Sequence, residues 1–191
     1  MAGTPHWNHD TTLHAWWADD NGCVLAGEFP SHHANPTKTR EKLSLLATAG
    51  IGTIIDLTED REGLTPYAEL LAEVAAEQGV TIERISHPIP DVNVTTAEHY
   101  DKIVGDIERA VANGRKVYVH CWGGVGRTST VVGCWHVCRG LTPDEALGRI
   151  KAARAGTKKA NRRAPETDRQ DEAIREAHAR RVTQQGEGRG A

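Results

Sequence analysis

The order of elements along the chain predicts an α/β fold, a three-layer sandwich whose central, largely parallel sheet of four to five strands is flanked by helices. Two observations carry this. Short apolar runs alternate with longer stretches of helical periodicity, the pattern left by parallel strands joined through helical crossovers. The helical stretches also stop on glycine, at Gly50, Gly79 and Gly114, as helices that hand over to a strand do. With 191 residues, 38% hydrophobic and 26% charged, the chain can bury one sizeable core. One domain is expected over 1–182, its core at about 23–181, followed by a disordered tail at 183–191, rich in glycine and glutamine.

Cys23-Val24-Leu25-Ala26 is a short apolar strand, and residues 38–49 form a helix that ends at Gly50. Ile51-Gly52-Thr53-Ile54-Ile55-Asp56-Leu57 reads as a buried strand. A helix over 65–78, a strand over 81–85 and a helix over 96–112 follow, then the apolar alternation Val117-Tyr118-Val119. Helices are expected from 127 to about 139, over 143–153 and from 165 to about 181. Trp16-Trp17 is expected to anchor the N-terminal segment onto the sheet, and Cys134 and Cys138, one helical turn apart, to pack in the core.

The most informative stretch is His120-Cys121-Trp122-Gly123-Gly124-Val125-Gly126-Arg127-Thr128, which leaves a strand and enters a helix. Its glycines let successive backbone N–H groups turn toward one point, and the following helix adds the positive end of its dipole. The concavity suits an anion of phosphate size. The same field favours a thiolate at Cys121, and Arg127 can offer a planar fork of donors to two phosphate oxygens at once.

Histidine-cysteine, five residues, arginine, then serine or threonine resembles the signature of the cysteine-dependent protein tyrosine and dual-specificity phosphatase superfamily. Every fixed position is present, and the resemblance covers residues from about 24 to 180. It implies a phosphotyrosine phosphatase fold and a metal-free, cofactor-free mechanism in which Cys121 attacks phosphorus while Arg127 and the amides of Trp122, Gly123, Gly124, Val125 and Gly126 hold the phosphate oxygens. In the family the histidine, here His120, holds the loop and helps keep the sulfur ionised, and Thr128 can hydrogen-bond the sulfur as it departs. Expelling the leaving oxygen needs an acid. Asp91, in His87-Pro88-Ile89-Pro90-Asp91, matches by spacing and local sequence, its two prolines holding the segment extended. Asp60 and Asp101 are the alternatives. Trp122 either lines the pocket or braces the loop from behind.

The connection before the final helix approaches the active-site mouth in related phosphatases, so Lys158, Lys159, Arg162 and Arg163 are candidates for attracting phosphorylated substrate. Gln170 is a candidate for orienting the hydrolytic water, against a plain helix-start role. No segment devoted to a deep phenol-binding cleft is evident, and the loop 122–126 lacks the lysines that phosphoinositide-specific members often carry. The expected substrate is a phosphorylated protein or peptide, phosphotyrosine first and then phosphoserine or phosphothreonine. The alternatives are an interaction module that holds phosphate with little turnover, and a phosphatase acting on inositol phosphate or an RNA 5′-phosphate.

A net charge of -3 exerts no global pull on nucleic acid or anionic membrane, and no apolar run approaches the ~18 residues of a membrane span. The N-terminus lacks the pattern of a secretory signal. His6, His9 and His14 match no tight tetrahedral spacing, so no metal is expected. These features predict a cytoplasmic monomer with no membrane or nucleic-acid partner.

Overall fold

The computed structural model describes residues 5–187. Its elements are β1 (Ala15–Trp17), β2 (Val24–Gly27), α1 (Pro36–Thr48), β3 (Ile51–Asp56), α2 (Ala68–Glu77), β4 (Glu83–Ser86), α3 (Ala97–Ala112), β5 (Lys116–His120), α4 (Gly126–Cys138), α5 (Pro143–Ala153) and α6 (Asp168–Glu187). A single 3-10 turn, Asp60–Glu62, follows β3. The strands pair in the order β1-β2-β5-β3-β4, parallel throughout except for β1, which runs antiparallel along β2.

Alternating residues on each strand face opposite sides of the sheet, so each strand supplies two cores. Leu25, Ile54 and Tyr118 pack with Leu43 and Leu46 of α1 and Leu71 and Val74 of α2. Val24, Ile55 and Val119 pack on the other side with Ile103 and Ile107 of α3, Val131, Val132 and Trp135 of α4, Ile150 of α5 and Ile174 of α6. This is the three-layer sandwich expected from the sequence. Burying each such aliphatic side chain contributes about 1.5–3 kcal/mol relative to leaving it in water. Helix α4 is covered by α3, α5 and α6, and its residues from Gly126 through Val137 are all buried, so it shows no amphipathic stripe. The helix that leaves the glycine-rich loop is therefore the most enclosed one.

Local chemistry places the helix starts. Asn35 accepts from the Lys38 amide at 3.0 Å and Thr96 from the His99 amide at 3.2 Å. Thr142 and Glu145 close a reciprocal capping box at α5.

Several boundaries differ from expectation. Trp16-Trp17 does anchor to the sheet, but as part of a strand of its own, β1. Helix α2 begins at Ala68 rather than Thr65, because Tyr67 turns into the core to meet His120. Helix α6 begins at Asp168 rather than Pro165, because Gln170 folds its side-chain oxygen back onto the Glu166 and Thr167 amides. It then continues to Glu187, past the expected end near Arg181, so the expected tail is helical at its start and 188–191 lie outside the described residues. Cys134 is buried as expected, whereas Cys138 is exposed at the end of α4, beyond the cover of its neighbours. Among the described residues no helix is long and apolar enough to cross a membrane.

Candidate active site

The carboxyl ends of the four parallel strands converge on one cleft, as ligand sites in open α/β sheets do. Strand β2 leads to Glu28 and Phe29, β3 to Glu62, β4 to Asp91 and the central β5 to Cys121. All five line a cavity of about 780 Å³.

Cys121 is 3% exposed. The loop beyond it is fixed to its surroundings at several points. The Phe29 amide donates to the Trp122 carbonyl at 2.9 Å and Lys159 Nζ to the Gly123 carbonyl at 2.8 Å. Gly124 has φ +68°, and a Cβ there would lie 2.4 Å from the Gly27 carbonyl carbon, so only glycine fits both the turn and the packing on β2. At Gly126 a Cβ would meet the ends of the Glu166 and Gln170 side chains, at 2.4 and 3.0 Å, rather than main chain. Val125 is buried, and the Trp122 side chain, 59% exposed, stands at the mouth of the cleft rather than behind the loop.

Arg127 is 1% exposed. Its Nη1 donates to Glu62 Oε1 at 2.6 Å and to the carbonyls of Ile89 and Leu57 at 2.9 and 3.3 Å. Its Nη2 donates to Glu62 Oε2 at 3.0 Å and pairs with Asp91 Oδ1 at 2.8 Å. The Nε is buried without a partner. Leaving a buried guanidinium donor empty costs about 1–3 kcal/mol, so an acceptor brought to this Nε would be stabilised. Burial opposes the charge on Arg127, but its hydrogen bonds to Glu62 and the nearby Cys121 and Asp91 raise its pKa. Burial likewise pushes Glu62 up, yet the bonds from Arg127 and the Glu59 amide outweigh it and keep its carboxyl below the ordinary range.

A family model described as Swiss Army Knife protein, DSP-PTPase phosphatase domain, matches residues 32–183. The chain belongs to this phosphatase family. An uncharacterized protein of Methanocaldococcus jannaschii is 42% identical over 65 residues, covering 34% of this chain and 44% of its own length. Cyclin-dependent kinase inhibitor 3 of Rattus norvegicus is 29% identical over 135 residues, covering 69% and 61%. The chain thus spans less than two thirds of either relative. Among solved structures, Tk-PTP in its active form aligns with a TM-score of 0.66 at 30% identity, over 87% of this chain and 97% of that one. Kinase associated phosphatase, with its catalytic cysteine replaced by serine, aligns with a TM-score of 0.65 at 19% identity over 88% and 94%, a likeness of fold.

In this phosphatase domain the signature histidine is fully buried behind the cysteine. Its Nδ1 lies 3.2 Å from the Cys121 carbonyl and its Nε2 2.7 Å from Tyr67 Oη. Burial lowers the His120 pKa, with the Asp56 carboxylate opposing. Tyr67 Oη also donates to Asp56 Oδ2 at 3.3 Å, so the hydroxyl links the ring to that carboxylate. His120 therefore braces the main chain of the cysteine. Asp56 completes the backing: it accepts from Thr58 Oγ1 at 2.6 Å and from Arg84 at 2.8 and 3.0 Å, and these contacts, together with the nearby His120, hold its carboxyl below the usual range although burial raises it.

The remaining expected residues divide. Asp91 reaches the cleft, 43% exposed, on a segment whose next residue, Val92, has φ +55°. A β-branched residue in the left-handed region costs on the order of 1–3 kcal/mol, and such strain collects where the surroundings force a turn. The alternatives to Asp91 lie elsewhere, Asp101 paired with Arg180 and Asp60 on a neighbouring hollow. Thr128 is fully buried, and its Oγ1 donates to the Gly27 carbonyl at the end of β2 at 3.5 Å. Gln170 is buried and does not line the cleft. Its Oε1 takes the Glu166 and Thr167 amides and its Nε2 donates to the Asn93 carbonyl at 3.2 Å, so both ends of its amide are engaged in tying α6 to the segment after Asp91. Lys159 and Arg162 line the cleft, Lys158 lies at its outer side on Glu28, and Arg163 turns away to Asp168 and Asp171.

Glu62, Glu28, Lys42, Tyr67 and Glu166 were not expected from the sequence. The signal that could have found Glu62 is its position just past a parallel strand, in Thr58-Glu59-Asp60-Arg61-Glu62-Gly63, where α/β sheets hold ligands. Glu62→Gln should leave Arg127 buried with a weaker partner, lowering the thermal midpoint by several degrees. Inorganic phosphate, by replacing the lost charge, should raise the midpoint of the variant more than that of the wild type in a thermal unfolding series.

Proposed function

We propose that the chain is a cysteine-dependent phosphatase that hydrolyses phosphomonoesters through a phosphocysteine intermediate. Phosphotyrosine in a protein or peptide is its favoured substrate, and phosphoserine and phosphothreonine are secondary ones. The observation that carries this reading is the meeting of Cys121 and Asp91 at one cleft, with the buried Arg127 paired to Asp91 through Nη2.

In the resting arrangement Asp91 pairs with Arg127 Nη2. An entering phosphate takes Nε and shares Nη2, which releases Asp91 toward the ester oxygen. The Cys121 sulfur attacks phosphorus in line, the phosphorus–oxygen ester bond breaks, and Asp91 delivers the proton to the leaving oxygen. The loop amides and Arg127 hold the three equatorial oxygens. Water then attacks the phosphocysteine, Asp91 takes its proton, and the sulfur leaves as thiolate with phosphate free. Phe29, Leu64, Val92 and Trp122 give the cleft an apolar wall suited to an aryl ring, which supports phosphotyrosine as the favoured ester.

The test is phosphate release from an aryl phosphate and from phosphotyrosine, phosphoserine and phosphothreonine peptides in the presence of a metal chelator, followed by acid quench and mass analysis of the cysteine peptide. Release with phosphate found on Cys121 supports the reading. Bound phosphate without release from any of these substrates would overturn it in favour of a phosphate-holding module.

A further inference from the structure

One chain of side chains joins the two feet of the segment that carries Asp91. His87, at the exit of β4, is 2% exposed. Its Nε2 lies 2.7 Å from Asp106 Oδ2 on α3, and its Nδ1 lies 3.2 Å from His99 Nε2 in the first turn of the same helix. The other nitrogen of His99, Nδ1, lies 2.8 Å from Thr95 Oγ1. His87 precedes Asp91 by four residues and Thr95 follows it by four, so His99 fastens the two ends of the acid segment to each other.

Donors and acceptors match along this chain. Burial opposes the charge on Asp106, but hydrogen bonds from His87 and Arg109 outweigh it and hold the carboxyl below its ordinary range, so it accepts and His87 Nε2 donates. Burial, with the nearby His87 and Lys102, lowers the His99 pKa, which favours a neutral ring with one donor and one acceptor. Such a ring completes the chain whether His87 Nδ1 carries a proton or a lone pair, because the Thr95 hydroxyl turns to match. Main-chain bonds fix the stretch before Asp91: the His87 amide donates to the Asp56 carbonyl at 2.8 Å and the Ile89 amide to the Leu57 carbonyl at 3.1 Å. Asp91 and Val92 themselves are exposed. A short loop whose ends are joined has few ways to place its tip. Neither histidine lines the cleft, so any influence on the chemistry runs through that segment. General acid catalysis is sensitive to such placement: the carboxyl must come within about 2.6–3.2 Å of the leaving oxygen, and a misplacement of about 1 Å can cost on the order of a hundredfold.

We propose that His87 and His99 are positioning residues for Asp91, a clasp that sets where its carboxyl stands over the cleft. This rests on the reading of Asp91 as the general acid and names what holds it in place.

The experiment measures kcat and KM for wild type, Asp91→Ala, His99→Phe and the double variant, on a phosphotyrosine peptide and on an activated aryl phosphate whose acidic phenol leaves without a proton. His99→Phe keeps an aromatic ring and removes both nitrogens. It should lower kcat on the peptide about tenfold, change the aryl phosphate less than about twofold and leave both KM values within about twofold, since Cys121 and Arg127 keep their contacts. His99→Gln, whose amide can again donate at one atom and accept at another, should recover most of the loss. Because His99 acts through Asp91, the double variant should be no slower on the peptide than Asp91→Ala alone. Thr95→Val opens the clasp at its other end and should give the same split at smaller size, so it decides the matter if His99→Phe does not fold. Equal losses on the two substrates, an undiminished kcat on the peptide, or a peptide loss that multiplies with that of Asp91→Ala would overturn the clasp. If Asp91→Ala itself loses as much on the aryl phosphate as on the peptide, the acid reading falls, and this inference with it.

Discussion

Replacing Cys121 by serine should reduce phosphate release by a factor on the order of 10⁴ or more, the scale on which loss of the nucleophile disables covalent hydrolases. The structure makes this a clean substitution. Cys121 is almost completely enclosed, its neighbours are held by Phe29, Lys159 and the packing of Gly124 on β2, and serine differs by one slightly smaller atom. The anion loop and Arg127 therefore stay in place, while the serine hydroxyl remains protonated and attacks phosphorus poorly. Binding should persist. A phosphotyrosine peptide titrated into Cys121→Ser should show affinity within a few fold of the wild-type KM, and equilibrium binding beside turnover measures both. Residual turnover within tenfold of wild type would show that another group performs the attack.

Removing the Asp91 carboxyl should cost about a hundredfold or more in kcat on phosphopeptides, within the range expected for lost general acid catalysis. Leaving-group chemistry sharpens this expectation. A peptide tyrosine, and still more a serine, leaves badly without a proton, whereas an acidic phenol leaves well without help, so Asp91→Ala should lose much less on an activated aryl phosphate. The pairing of Asp91 with Arg127 adds a second signature. Freed from that carboxylate, Arg127 should bind phosphate at least as well as before, so KM should hold steady or fall while kcat drops. Steady-state kinetics on esters of graded leaving-group acidity reads both effects. Equal losses on good and poor leaving groups would show that Asp91 acts in some other way.

The layers of the fold were legible because burial writes itself into local pattern. Strands covered on both faces need continuous apolar runs such as Ile51-Gly52-Thr53-Ile54-Ile55, and crossover helices need periodic ones with glycine at their ends. The glycine loop was legible for a related reason, since its cysteine, glycines and arginine lie within seven consecutive residues. Less legible were β1, whose three residues are too few for a periodic signal, and the start of α2, where Tyr67 gives up a helical position to reach His120. Of the two roles open to Gln170 in the sequence, its contacts with the Glu166 and Thr167 amides are those of a helix start.

By itself the sequence determined the class of fold and the glycine loop that carries Cys121 and Arg127, because these depend on residues close together in the chain. Only the tertiary structure decided what surrounds them. Glu62 lies 65 residues from Arg127 and Lys159 lies 131 from Glu28, and no local pattern records either pair. Each partner stands at a strand's carboxyl end or on a loop packed against one, and it is the parallel sheet, ordering β2, β5, β3 and β4 side by side, that brings them together. The charges that neutralise Arg127 and those that crowd Glu28 are thus a product of strand order, since electrostatic interaction falls with distance in space and takes no account of separation along the chain.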